Sequence, residues 1–177
     1  MIKTTINLGD TNKFVAYKTN NISNCLELCK LILKNYNMNN FGSPTTAIKL
    51  LQEKNNILTY CEDNPKQLYE YAIKCIDTHL EKGYPIIVGV NHTLNYNCNE
   101  GTTDHFVVIY GRKYDETLGL NCYMYYEVGK TNVKSGYNDL TNRFVYKPGD
   151  KPEFYDEKSE RMDNKRFDVV QIRPNYV

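Results

Sequence analysis

A chain of 177 residues with 41% hydrophobic side chains can bury one substantial core, so a single domain over residues 1–177 is expected. Its net charge of +1 gives no field that would gather nucleic acid or an anionic membrane surface, and neither partner is expected. No apolar run is long enough for a bilayer span, and the start MIKTTINLGDTNKF lacks a signal core. Synthesis in the cytoplasm without a signal peptide is therefore expected. Work outside the cell would call for a dedicated secretion system.

The first apolar patch, Phe14 to Tyr17, reads as a short strand. A helix is predicted over 24–36, with Cys25, Leu28, Cys29, Ile32 and Tyr36 on one face. Asn24 caps it, and Glu27 three residues on completes a capping-box-like pair. Ser43-Pro44 predicts a second helix running to about residue 54. The segment NILTYCE reads as a short strand or an extended link. Asn64-Pro65 opens a third helix, with Gln67 in the box position, and Gly83 closes it. Strands follow at about 85–91, 104–113, 120–128, 142–147 and 166–173. The charged stretch from Lys147 to Lys165 reads as a surface loop. Helices first and strands second predict an α+β fold, with N-terminal helices packed on a mostly antiparallel C-terminal sheet.

Six cysteines are present, with no CxxC pair and no Cys/His cluster at zinc spacing. Cys25, Cys29 and Cys75 sit among apolar helical neighbours, where a reduced thiol packs as a small hydrophobe. Reduced thiols, no metal and no cofactor are expected.

Cys25, first residue inside a helix, lies where the helix N-terminus favours the reactive thiolate. Its backbone N–H can also face an oxyanion. The plain alternative is a first core residue; Cys29, one turn later, is assigned to packing. His105 opens the strand HFVVIYG after a long polar loop, NHTLNYNCNEGTTD, and is well placed as a general base. His92, in that loop, is the rival base. His79 is taken as a solvated helix residue. Folding the next hairpin about residue 116 puts Glu127 opposite or diagonal to His105, on the same face if no bulge intervenes. Glu127 can then fix the imidazole tautomer, with Asn121 and Asn132 as weaker substitutes. The loop between His92 and Thr103 and the Asn20–Asn24 segment are expected to flank the approach to the sulfur.

The order Asn24-Cys25 at a helix start, then GYPIIVGV, then DHFVVIYG, then YYEVG resembles the papain-like cysteine peptidases and amidases. Within them it is most similar to the bacterial branch of bacteriocin-leader peptidases and NlpC- and CHAP-type cell-wall amidases. The likeness covers about residues 20–130. It implies a papain-like fold, with Cys25 attacking an amide carbonyl, His105 taking its proton and Glu127 orienting the ring. Thr19 stands where a glutamine would supply the second oxyanion donor. Asn20, Asn21, Tyr17, Asn24 and His92 remain as candidates to contact oxyanion or substrate. The resemblance implies a peptide or muropeptide substrate and, for a toxin delivered into competitors, an immunity protein. Two alternatives stand beside hydrolysis. One is acyl transfer to a protein in the manner of a transglutaminase. The other is a non-catalytic binding module with Tyr123, Tyr125 and Tyr126 as contact residues.

Overall fold

The computed structural model describes residues 3–94, 102–159 and 165–175. In chain order its elements are β1 (Ile6–Asn7), α1 (Cys25–Asn35), β2 (Ile48–Lys49), β3 (Leu51–Lys54), β4 (Ile57–Tyr60) and α2 (Pro65–Glu81). Then come β5 (Ile86–Asn91), β6 (His105–Asp115), β7 (Leu120–Tyr126), α3 (Val133–Gly136), β8 (Arg143–Lys147), β9 (Glu153–Ser159) and β10 (Lys165–Arg173). None of the described helices is long and apolar enough to cross a membrane.

Six strands join in the order β6-β5-β10-β9-β8-β7, and the pairing of β7 with β6 closes the ring. Every pairing is antiparallel. The expected papain-like α+β fold, N-terminal helices laid on a C-terminal sheet, is therefore incorrect: the protein is a β-rich, six-stranded antiparallel barrel with three α-helices among the described residues. Two misread segments account for much of the difference. After Ser43-Pro44 only one 3-10 turn forms, Pro44–Thr46, with Ser43 Oγ accepting from Thr45 N. The chain then enters the β3–β4 hairpin, turned by Asn55 and Asn56, both at positive φ. Asparagine tolerates that conformation, which a two-residue hairpin turn requires. The charged stretch after Lys147 holds strand β9, whose Phe154 is buried in the barrel. The patch 14–17 forms no strand; Phe14 and Val15 simply pack in the core.

The two long helices form where their caps predict. Asn24 Oδ1 accepts from Leu26 N and Glu27 N, and α1 ends before Asn37, which is left-handed. Asn64 Oδ1 accepts from Gln67 N, Pro65 takes the first helical position, and α2 ends at Gly83 with φ 84.

Apolar alternation along the strands divides the core into two layers. Inward from β6 and β7 point Val107, Ile109, Tyr123 and Tyr125, joined by Phe144, Phe154, Phe167 and the buried face of α2. Outward point Phe106, Val108, Tyr110 and Tyr126, and α1 covers them with Leu28, Cys29, Ile32 and Leu33. Near the end where α2 docks, Arg112 is fully buried, with Nη1 2.7 Å from Asp77 Oδ1. The hydroxyl of Tyr123 donates to the same carboxylate oxygen at 3.0 Å.

β6 carries a bulge between Ile109 and Gly111. Gly111 is required there, because a Cβ would lie 2.7 Å from the Ile6 carbonyl oxygen and 2.8 Å from Met124 Cε. Gly111→Ala should cost on the order of 1–3 kcal/mol by forcing β1 off the barrel. An unchanged urea midpoint would contradict this close packing.

Candidate active site

Bulge and turn together decide what meets His105. Continued without a shift from Gly111–Met124, the register would set Glu127 against Val108, on the outward face. The extra residue Tyr110 moves it, so Tyr126 pairs with Val108 and Glu127 falls diagonal to His105 on the face of Val107. The two side chains share a face because a bulge intervenes, not for want of one. His105 Nε2 lies 2.7 Å from Glu127 Oε1, and both side chains are 1% exposed. Glu127 Oε1 also accepts from Gly129 N at 2.7 Å, which holds the carboxylate in place.

Cys25 opens α1 and is half-buried, packed at the margin of the outward layer. The segment before it is tied to the turn after Glu127: Tyr17 N donates to Lys130 O at 2.8 Å, and Lys130 N donates to Glu127 O at 3.2 Å. Cys29 registers the same neighbourhood. Burial pushes its thiol well above the ordinary range, Cys25 and Glu127 push it further, and Arg173 opposes them. A buried thiol held protonated in this way is a packing group, not a nucleophile. The start of α1, Glu127 and Arg173 therefore surround one end of the barrel. Arg173 stacks on Phe106, with Cζ 4.5 Å from the ring centroid.

The other sequence candidates fall in different places. Asn24 has its side-chain oxygen engaged in capping α1, which argues against substrate contact through that atom. Asn20 and Asn21 are exposed and left-handed in a short turn, while Tyr17 is half-buried beside Lys130. His92 ring-stacks on Phe167 at 5.3 Å, and Phe167 meets His105 edge-on at 6.1 Å. One aromatic ring therefore touches both histidines. Asn132 caps α3, and Asn121 lies at the start of β7, at the opposite end of that strand from Glu127. His79 is not solvated. It is 4% exposed, its Nδ1 donates to Cys75 O at 2.7 Å, and its Nε2 accepts from Asn175 N at 3.2 Å. The tail after β10 covers that helix face, which period alone did not reveal. Tyr123, Tyr125 and Tyr126 are fully buried and offer no contact surface. Residues 95–101, most of the loop expected to flank the site, lie outside the described residues, as does Cys98.

Two carboxylates near the site carried no assignment from sequence. Asp104 Oδ2 accepts from His92 N and Thr93 N, both at 2.8 Å, fixing the chain just before His105. Its adjacency to His105 in the sequence was the available signal. Asp156, from the stretch taken as a loop, accepts from Tyr125 Oη at 2.7 Å. Burial first, then Glu127, raise its pKa to about 6, against the hydrogen bonds from Tyr125 and Lys158 N and the charge of Arg143. A carboxyl with a raised folded-state pKa binds its proton more readily when folded. It penalises the folded state above about pH 6 and relieves that penalty as pH falls toward 4. The swing is about 3 kcal/mol. Asp156→Asn should remove this contribution from a stability–pH curve measured by urea unfolding. An identical pH slope in the variant would contradict it.

Among the described residues, no group of three or more His, Cys, Asp or Glu side chains could hold a metal ion. Cys29, Cys61, Cys75 and Cys122 are free thiols. The arrangement thus offers an imidazole braced by a carboxylate on the inward face and, in the outward layer, a thiol at a capped helix start. Comparison with family models, with curated proteins and with solved structures gave no match.

Proposed function

We propose that the protein is a cysteine-dependent amide hydrolase in which Cys25 attacks, His105 transfers protons and Glu127 positions His105. The observation that carries this is the buried 2.7 Å contact between His105 Nε2 and Glu127 Oε1. A carboxylate on Nε2 favours the tautomer protonated there and places the imidazole lone pair on Nδ1. Nδ1 takes the Cys25 thiol proton as sulfur bonds to the amide carbon. The carbonyl π electrons move to oxygen, and the Cys25 N–H at the helix start donates to that oxyanion. Collapse breaks the C–N bond, the imidazolium gives its proton to the departing amine, and a thioester remains. Water, deprotonated by His105, then releases the acid and restores the thiol.

Peptide or muropeptide amides are the substrate class we assign, on the resemblance of the Cys, His and Glu segments to cell-wall amidases. Action as a toxin on a competitor's peptidoglycan, with an immunity protein in the producer, belongs to the same proposal. Digestion of purified peptidoglycan followed by mass analysis tests it. New amines with matching carboxylates, absent with Cys25→Ala, are the expected result; intact muropeptides or new reducing sugar ends would overturn it. Added acceptor amines appearing in the products would replace hydrolysis by acyl transfer.

A further inference from the structure

Both ring nitrogens of His79 are engaged, one within α2 and one by the chain just after β10. Nδ1 lies 2.7 Å from the carbonyl oxygen of Cys75, one turn back along α2. A carbonyl only accepts, so the ring proton sits on Nδ1. Nε2 is then the lone-pair nitrogen, and Asn175 N, 3.2 Å away, donates to it. A second bond, from Asn175 Nδ2 to Pro85 O at 2.9 Å, completes the docking. The docked residue carries a flaw: Asn175 Oδ1 is buried without a hydrogen-bond partner. Such an oxygen costs about 1–3 kcal/mol, comparable to what the two bonds return. The contact is therefore close to balance, and loss of either bond tips it toward release.

We infer that His79 is an acid-sensitive latch: uncharged, it holds the segment after β10 against α2, and protonated, it lets that segment go. A proton on Nε2 sets two donors, Nε2–H and Asn175 N–H, against each other, so the bond does not survive the charge. Burial lowers the His79 pKa, the bond to the Cys75 carbonyl opposes this, and the charge of Lys82 adds to the lowering. The Cys75 thiol, 3.7 Å from Nδ1, is kept protonated by its own burial. From the turn after α2 the titratable neighbour is Tyr84, whose backbone N donates to His79 O at 2.9 Å. Pro85, Pro174 and Asn175 bring no charge. Among the described residues no carboxylate enters this balance. The folded-state pKa lies below the ordinary 6.5, so the latch holds fully above that pH and is lost as pH falls through the lowered value. What it governs is the end of β10: Arg173, two residues before Asn175, stacks on Phe106, the residue after His105. The latch does not depend on the proposed hydrolysis.

Amide hydrogen exchange and nitrogen shifts of the labelled protein, followed from about pH 7.5 to about pH 4.5, test the latch. At the upper end the His79 ring should show the Nδ1–H tautomer and the Asn175 amide should be protected. The Asn175 protection factor should then fall at least about tenfold, with the midpoint of the His79 titration, while that of Val88 in the barrel wall stays level. His79→Gln keeps an acceptor near the Nε2 position but takes up no proton, so Asn175 should stay protected across the range. His79→Leu should lose that protection at every pH. Should His79→Leu not fold, the pH independence of His79→Gln decides alone. A His79 still neutral at the acid end, an Asn175 amide that ignores the titration, or a His79→Gln variant with the parent's pH dependence would overturn the latch.

Discussion

Cys25→Ala should lower amide hydrolysis by at least about a thousandfold while leaving the unfolding midpoint nearly unchanged. The thiol is half-buried at a helix start, so its loss opens little core. His105→Ala should lose activity on the same scale, since removing either member of a reacting pair removes the pair's function. Its stability would also fall, because the buried Glu127 carboxylate loses a 2.7 Å partner. Glu127→Gln separates positioning from chemistry. An amide still bonds the ring but no longer stabilises an imidazolium, so kcat should drop while KM holds. The alkaline arm of the pH–rate profile should move as well. Full activity in Glu127→Gln would reassign the positioning role.

The largest stability loss is expected from Arg112→Met. Arg112 has no exposed surface, and the change strands the Asp77 carboxylate and two contacts to the Thr4 carbonyl. Breaking one side of a buried pair typically costs about 3–5 kcal/mol, or about 10 °C in Tm for a chain of this size. Burial already raises the Asp77 pKa despite Arg112, so the stranded group would take up a proton and recover part of the loss. The double variant Arg112→Met with Asp77→Leu should recover most of it, as apolar replacements of buried pairs often do. A double variant no better than Arg112→Met alone would contradict this account of the pair.

Local chemistry was legible in the sequence; closure was not. Asn24, Asn64-Pro65 and Gly83 bound two helices because caps act within four residues. β5, β6, β7, β8 and β10 announce themselves through apolar runs. The β3–β4 hairpin hid behind Ser43-Pro44, a valid helix start that the next residues do not continue. β9 hid among charges, because its buried side chains, Phe154, Tyr155 and Asp156, form a run of only three between Glu153 and the exposed Glu157 and Lys158. Barrel closure rests on pairings between distant strands, and no local signal reports them. The His105–Glu127 contact was reached by counting along a hairpin. That count located the right pair for a reason the sequence did not display, since a bulge at Tyr110 sets the face.

Alkylation by iodoacetamide at neutral pH, mapped cysteine by cysteine by mass spectrometry, tests the reacting pair most directly. Cys25 should react at least about tenfold faster than the half-buried Cys61 and Cys75, whose thiols burial holds protonated. That excess should vanish in His105→Ala and persist in Asn121→Ala. A Cys25 no faster than Cys61, or one indifferent to His105, would contradict the assignment of Cys25 and His105 as the reacting pair.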